Sequence, residues 1–438
     1  MQKSMNNGSE SKLEASIGFS RKWDAREAGR EVAESTIKKL SQPPNFILLF
    51  STIHYKDHGG FKEFLNGVWD VIPKGTPLIG GTIAGFVNNF GCYTRGATAL
   101  AICYPNMDVA IGVGKHTKML PKEAAIKCAQ MIKNQLKKSS YENKFLINII
   151  SAAKVPFSGL NIVKQKYLGW LFSNIIIRII SPLGYAWGKE DEIIDELVSC
   201  LPDYYITGGS SVDSGHISEN YQFIGKKVVT NSIVAIGCHT DLDISLESNI
   251  GVHETDKKFE ITRSKYNGRI ITKVNKKSAK EQILKQFGLA EGQFGDLGLF
   301  YYRTAFYFPI TYEENREYIS GITAFFGNDV ALGTKIRGKN VRLLYTTGKE
   351  VIDLINDTFH DFNKNQFPFM FIFSSLIFMN TFGSKTHIIK EELDKYLKEI
   401  PYLMVCPLYE NIGFPNKKVA TRAYSFNALS LKRRTGNN

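Results

Sequence analysis

The stretch FILLFS, residues 46–51, is the part of the sequence on which the fold turns. It carries no charge and shows no polar alternation, so a strand formed here must be covered by protein on both faces. Upstream, Asp24 stands where it can cap a helix over 25–40, with Ala28, Val32, Ile37 and Leu40 on one apolar stripe. Pro43-Pro44 stops that helix. Downstream, a helix over 61–71 leads into PLIGGT, residues 77–82, and a second buried strand. Strand, helix, strand in that order implies parallel neighbours joined by a crossover. Residues 97–104 and 109–114 flank Pro105-Asn106 and are expected to pair as an antiparallel hairpin. The fold class is α/β, built of repeated strand–helix–strand units with mixed parallel and antiparallel sheets in two domains.

The same pattern recurs. The first copy runs from 46–51 through Gly80-Gly81-Thr82 and 98–102 to IGVG at 111–114. The second has a strand over 145–152, a helix over 191–200, Gly208-Gly209-Ser210, a strand over 232–237, and IGVH at 250–253. A fainter third copy places a strand over 369–377, a helix over 388–400, a strand over 402–406 and a last segment over 419–429. Helices over 121–136, 278–287 and 349–362 fill the rest, with short strands over 259–274 and an aromatic run over 301–310. Residues 1–24 read as a flexible lead-in, 25–255 as one α/β domain, 256–433 as a second, and 434–438 as a tail. The charged ETDKK at 254–258 marks the change.

At 438 residues the chain exceeds one ordinary core. Hydrophobic residues at 43% and charged residues at 22% exclude wholesale disorder. The formal charge of +13 admits an acidic partner, but the basic residues are dispersed, which argues against nucleic acid. Cys92, Cys103, Cys128, Cys200, Cys238 and Cys406 form no Cys-x-x-Cys pair, so free thiols and a cytoplasmic setting are expected. An apolar insertion over 160–188 contains twenty residues, 168–187, long enough to suggest a membrane span. Arg178 near its middle costs about 2.5–3.5 kcal/mol in a bilayer centre, and Pro182 and Gly184 break the helix. A packed insertion, or one lying on a membrane surface, fits better than a span.

Three segments carry a resemblance. FILLFST, PLIGGTIAGFV and GATALAICYPNMDVAIGVG look like the N-terminal FIST domain. Residues 259–431, ending VCPLYENIGF and VATRAYSFNALSL, resemble the C-terminal FIST domain that accompanies it. The resemblance implies an intracellular sensory module for a small ligand, such as an amino acid or a related polar metabolite, signalling through a partner or by self-association. This sequence departs from the family at two points. Asn411 stands at the usual acidic position unless Glu410 takes it with a one-residue shift, and Ser374-Ser375-Leu376-Ile377 replaces a Cys-x-x-Arg motif.

The residues expected to touch a ligand lie at strand ends, where parallel sheets bind ligands. They are Gly80, Gly81 and Thr82; Gly208, Gly209, Ser210 and Ser211; Asp213; and Tyr409, Glu410 and Asn411. Glycine lets a ligand approach the backbone, while hydroxyls and acids bind a carboxylate or an amine. The competing reading makes the glycines devices for close strand packing. His54 and His58 flank Asp57 in a glycine-ended loop and suit a pocket lid better than a metal site. Gly-x-Ser-x-Gly is absent, and Cys406 is followed by Pro407, so no nucleophile is assigned. No cofactor is expected. The alternatives are an enzyme using Asp213, Glu410 or Cys406, and a peripheral membrane scaffold using residues 168–187.

Overall fold

The computed structural model describes residues 12–154, 188–214, 217–288, 308–326, 328–361, 367–417 and 423–432. Its frame is one arrangement used three times. The first copy contains β1 (Glu14–Ser20), α1 (Ala25–Ile37), β2 (Phe46–Ser51), α2 (Gly60–Trp69), β3 (Leu78–Thr82), β4 (Phe86–Asn88), β5 (Gly91–Tyr93) and β6 (Ala97–Cys103). The second contains β7 (Met107–Lys115), α3 (Pro121–Gln135), β8 (Asn143–Ser151), α4 (Glu190–Cys200), β9 (Tyr205–Ser211), β10 (Gln222–Ile224), β11 (Lys227–Val229) and β12 (Ser232–Thr240). The third opens with β13 (Asp243–Ile250). It is then interrupted by β14 (His253–Lys265), β15 (Ile270–Val274), β16 (Lys277–Ser278), α5 (Ala279–Gln286), β17 (Ile310–Tyr312), β18 (Asn315–Ser320), β19 (Ile322–Phe326), β20 (Asp329–Leu332) and β21 (Asn340–Tyr345). It resumes with α6 (Gly348–Phe359), β22 (Met370–Ser374), α7 (Leu376–Phe382), α8 (His387–Leu397), β23 (Tyr402–Val405), β24 (Glu410–Gly413) and β25 (Ser425–Lys432).

Each copy builds the same four-strand core, in orders β1-β6-β2-β3, β7-β12-β8-β9 and β13-β25-β22-β23. The last two strands of each order run parallel and the others antiparallel. The sheets are completed by exchange. β10 of the second copy pairs with β3 of the first, β24 of the third with β9 of the second, and β4 of the first with β23 of the third. No copy can therefore complete its sheet alone.

Unbroken apolar strands need cover on both sides, and the fold supplies it. The inner faces of all three sheets share one core that holds Phe46, Phe50, Phe145, Ile147, Phe371 and Leu429. Rings from different copies meet there, Phe50 with Phe371 at 6.0 Å and Phe46 with Phe145 at 6.5 Å. The outer faces are covered by α1 with α2, α3 with α4, and α6 with α8. Asp24 caps α1 by accepting from the Glu27 amide, as its position suggested.

Two local expectations change. Glu14–Ser20, inside the supposed lead-in, is β1 and pairs with β6 along its whole length. Its Ile17 and neighbouring small residues need little apolar content to fill an edge place. The segments around Pro105-Asn106 do not form a hairpin: β6 lies in the first copy's sheet and β7 in the second's. That turn passes the chain from one sheet to the next. The ETDKK segment falls at the start of β14. The interrupting segment makes its own sheet, in the order β18-β17-β21-β14-β15-β20-β19, with β16 beside β15 and α5 packed on it. The 168–187 insertion lies outside the described residues. Among those described, no helix is long and apolar enough to cross a membrane.

Candidate functional site

The parallel strands β3, β9 and β23 end together. Val212 donates its amide to Thr82 O at 2.9 Å, joining the first and second copies. Ser210 N donates to Tyr409 O at 2.8 Å and Leu408 N to Ser210 O at 3.2 Å, joining the second and third. Ala84 N donates to Cys406 O at 3.1 Å and Cys406 N to Gly85 O at 3.0 Å, closing the ring from third to first. Ten of the eleven residues expected at the ligand, all except Asp213, lie on these ends.

The glycines are there for packing. A Cβ at Gly80 would stand 1.7 Å from Leu49 O, and one at Gly208 2.3 Å from Asn148 O. At Gly209 it would meet Pro407 Cγ at 2.6 Å, and at Gly81 the Tyr221 carbonyl at 2.7 Å. Asn411 is committed as well: its amide and that of Asn148 exchange hydrogen bonds of 2.9 and 3.1 Å. Asp213 holds its own loop, accepting from the amides of Ile217, Ser218 and Glu219 and from the Ser218 hydroxyl. Thr82 Oγ1 accepts from the Tyr221 amide at 3.1 Å.

The polar groups with spare capacity are others. The strand preceding each ring member ends in serine: Ser51, Ser151 and Ser374. All three are buried. Among the described residues, the hydroxyls of Ser51, Ser374 and Tyr409 have no hydrogen-bond partner. Ser151 donates to Asn220 Oδ1 at 2.7 Å, and Ser211 donates to Ile150 O at 3.1 Å. Buried hydroxyls are ordinarily satisfied, so three orphans on one junction mark a place where something is missing from the account of the protein alone.

Two buried carboxyls adjoin the ring. Glu410 is fully buried, and burial pushes its acid well above the usual carboxylate range against hydrogen bonding from Ser425 and Ser375. Glu190, at the start of α4, accepts from the Ser210 hydroxyl at 2.9 Å. Burial raises its acid to about 7, Asp191 adds to the rise, and Ser210 and Arg269 oppose it. Beside them the inserted sheet docks. Arg269 reaches Asp191 at 2.6 Å and Glu192 at 3.0 Å, with Arg269 and Asp191 almost wholly enclosed. Gly333 of the same sheet lies against the Tyr409 hydroxyl.

A cavity of about 250 Å³ opens at the end of β8, lined by Lys118, Ser151, Lys154, Glu219, Asn220 and Asn231 among others. Lys118 is buried, and desolvation with the nearby Lys154 charge lowers its ammonium to about 8. A wider cleft of about 640 Å³ lies between α4 and the inserted sheet. It is more open, and Arg337 there is already paired with Asp195 at 2.8 Å.

No group of three His, Cys, Asp or Glu among the described residues is placed to hold a metal ion. His58 Nδ1 lies 2.8 Å from the His54 carbonyl, and His54 Nδ1 2.8 Å from Thr52 Oγ1. Burial beside Arg95 and His58 lowers His54 to about 4, so its ring is neutral near pH 7.

Comparison with known proteins supplies the family. No curated protein matches the chain. Among solved structures, that of a cyanuric acid hydrolase from A. caulinodans aligns over 53% of this chain and 72% of its own, with 10% identity and a TM-score of 0.26. Agreement that loose carries no argument about fold or activity. The FIST N domain model matches residues 45–277, which is more than half of the sequence. On that match the chain belongs to the FIST family, a family of sensory domains.

Proposed function

We propose that this chain is a receptor for a small polar metabolite, an amino acid or a close relative, held where the three copies meet. One observation supports the reading above the rest: three exchanged sheets end in a ring of backbone hydrogen bonds, and buried hydroxyls on that ring have no partner among the described residues. A ligand that donates and accepts would satisfy them. Because each copy needs a strand from the next, a ligand touching all three would stabilise the whole frame and could bias its fit to the inserted sheet at Gly333 and Arg269. Residues 256–433 are read as the C-terminal FIST counterpart, and the signal as passing to a partner or a second copy in the cytoplasm. A thermal-shift screen of the full chain against amino acids and small organic acids tests the reading. A binder at a hundred times its Kd adds about 2.7 kcal/mol of stability and is recovered unchanged. Conversion of the compound would make the chain an enzyme instead, and a panel with no stabilising member would remove the receptor reading.

A further inference from the structure

The cavity at the end of β8 has a charge pattern that the receptor reading does not use. Lys118 is only 7% exposed, and its place is fixed by its neighbours. Its own amide and the Thr117 hydroxyl both donate to Asn231 Oδ1 at 3.0 Å, and the Thr117 amide donates to Asn231 O at 3.2 Å. Lys154 shares the cavity wall. Holding an ammonium in a buried position beside a second cation costs folding free energy, so an arrangement of this kind needs a compensating anion. The carboxylate on the same wall, Glu219, is already engaged by Lys56 at 2.7 Å.

We propose that this cavity is a carboxylate subsite, in which Lys118 and Lys154 together hold the carboxylate of a small metabolite while Ser151 and Asn220 contact its neighbouring atoms. The proposal deepens the receptor reading and rests on it for the rest of the molecule. Two ammonium groups match the two oxygens of a carboxylate, and Glu219 penalises the second negative charge of a phosphate more than it penalises a monoanion. The charged groups that face Lys118 are Lys154, which lowers its affinity for a proton, and Glu190, which raises it; Glu219 lies on the shared wall. A bound carboxylate favours the protonated Lys118. Affinity is therefore flat below about pH 8 and falls about tenfold per pH unit above it, until the bound-state value is reached.

The test uses the full chain and four probes at matched ionic strength: acetate, inorganic phosphate, acetamide and chloride. Thermal shift and calorimetric titration are read across pH 6–10. Acetate is expected to bind with the pH profile above and acetamide and chloride to do nothing. Lys118→Gln is expected to abolish the acetate response, and Lys154→Gln, at an exposed position that leaves the fold intact, to weaken it at least tenfold. An acetate response that survives Lys118→Gln, an equal response to acetamide, or no acetate response at all overturns the subsite. Phosphate binding more tightly than acetate overturns its carboxylate class. A metabolite that stabilises wild type and Lys118→Gln alike sinks the subsite and leaves the receptor. Acetate binding to a chain that no metabolite stabilises supports the subsite and sinks the receptor.

Discussion

Glu190→Gln isolates one buried acid and gives a signed, pH-dependent result. Glu190 is 4% exposed, and its Oε1 accepts from Ser210 at 2.9 Å, a bond the glutamine oxygen can keep. Burial raises the acid from 4.5 to about 7. The folded chain thus holds this proton more tightly than the unfolded chain does. Its contribution to stability is full below about 4.5 and is lost as pH rises through 7. The gap between the two values corresponds to about 3 kcal/mol. Glutamine mimics the protonated acid without titrating. The variant and wild type should match near pH 4.5 and diverge steadily, until Glu190→Gln is more stable by about 3 kcal/mol at pH 8. Urea denaturation of both proteins at several pH values measures the difference, and effects of other groups cancel in it. A difference that stays constant with pH would show that Glu190 ionises as an ordinary carboxyl, and the buried environment assigned to the ring would be wrong.

Arg269→Met should cost about 3–5 kcal/mol by leaving Asp191 buried without its partner, and adding Asp191→Asn should recover part of that loss; denaturation curves showing a loss below about 1 kcal/mol would refute the anchor. Gly333→Ala places a Cβ 1.7 Å from the Tyr409 hydroxyl, so it should destabilise by about 1–3 kcal/mol, and Tyr409→Phe in the same chain should restore most of it. If the double variant is no better than the single one, the inserted sheet does not pack there. Alkylation of the native protein, followed by mass spectrometry, should label Cys92 and Cys200 first. Cys128, Cys238 and Cys406 should react only after unfolding, since burial raises their thiols, Cys128 to about 12; early labelling of Cys406 would contradict its enclosure in the ring.

The frame was legible where burial is two-sided. FILLFS and the strand after it announce themselves because no surface strand is apolar throughout, and the recurrence of glycine-ended strands exposed the repeat. β1 escaped notice because an edge strand needs few large apolar residues. The Pro105-Asn106 turn misled because a turn signal gives the place of reversal but not whether the two arms share a sheet. The exchange of β4, β10 and β24 between copies has no local signal at all, being decided by packing across the whole frame. At the site, the strand-end position of the glycines was readable, yet their clash distances give them to backbone packing. Ser51, Ser151 and Ser374 were visible as strand-final serines, and aligning the three copies on that position could have found them. Lys118 and Glu190 could not be found that way: both residue types usually lie at the surface, and only the tertiary fold buries these two.

Amide hydrogen exchange on the full chain, with and without the most stabilising metabolite from the screen, tests the three-copy junction most directly. Slowed exchange appearing together in 80–84, 208–212 and 406–411 is the predicted pattern, since those amides form the ring. Protection confined to the inserted sheet, 253–345, or to the Arg337 cleft, with the ring segments unchanged, would contradict it.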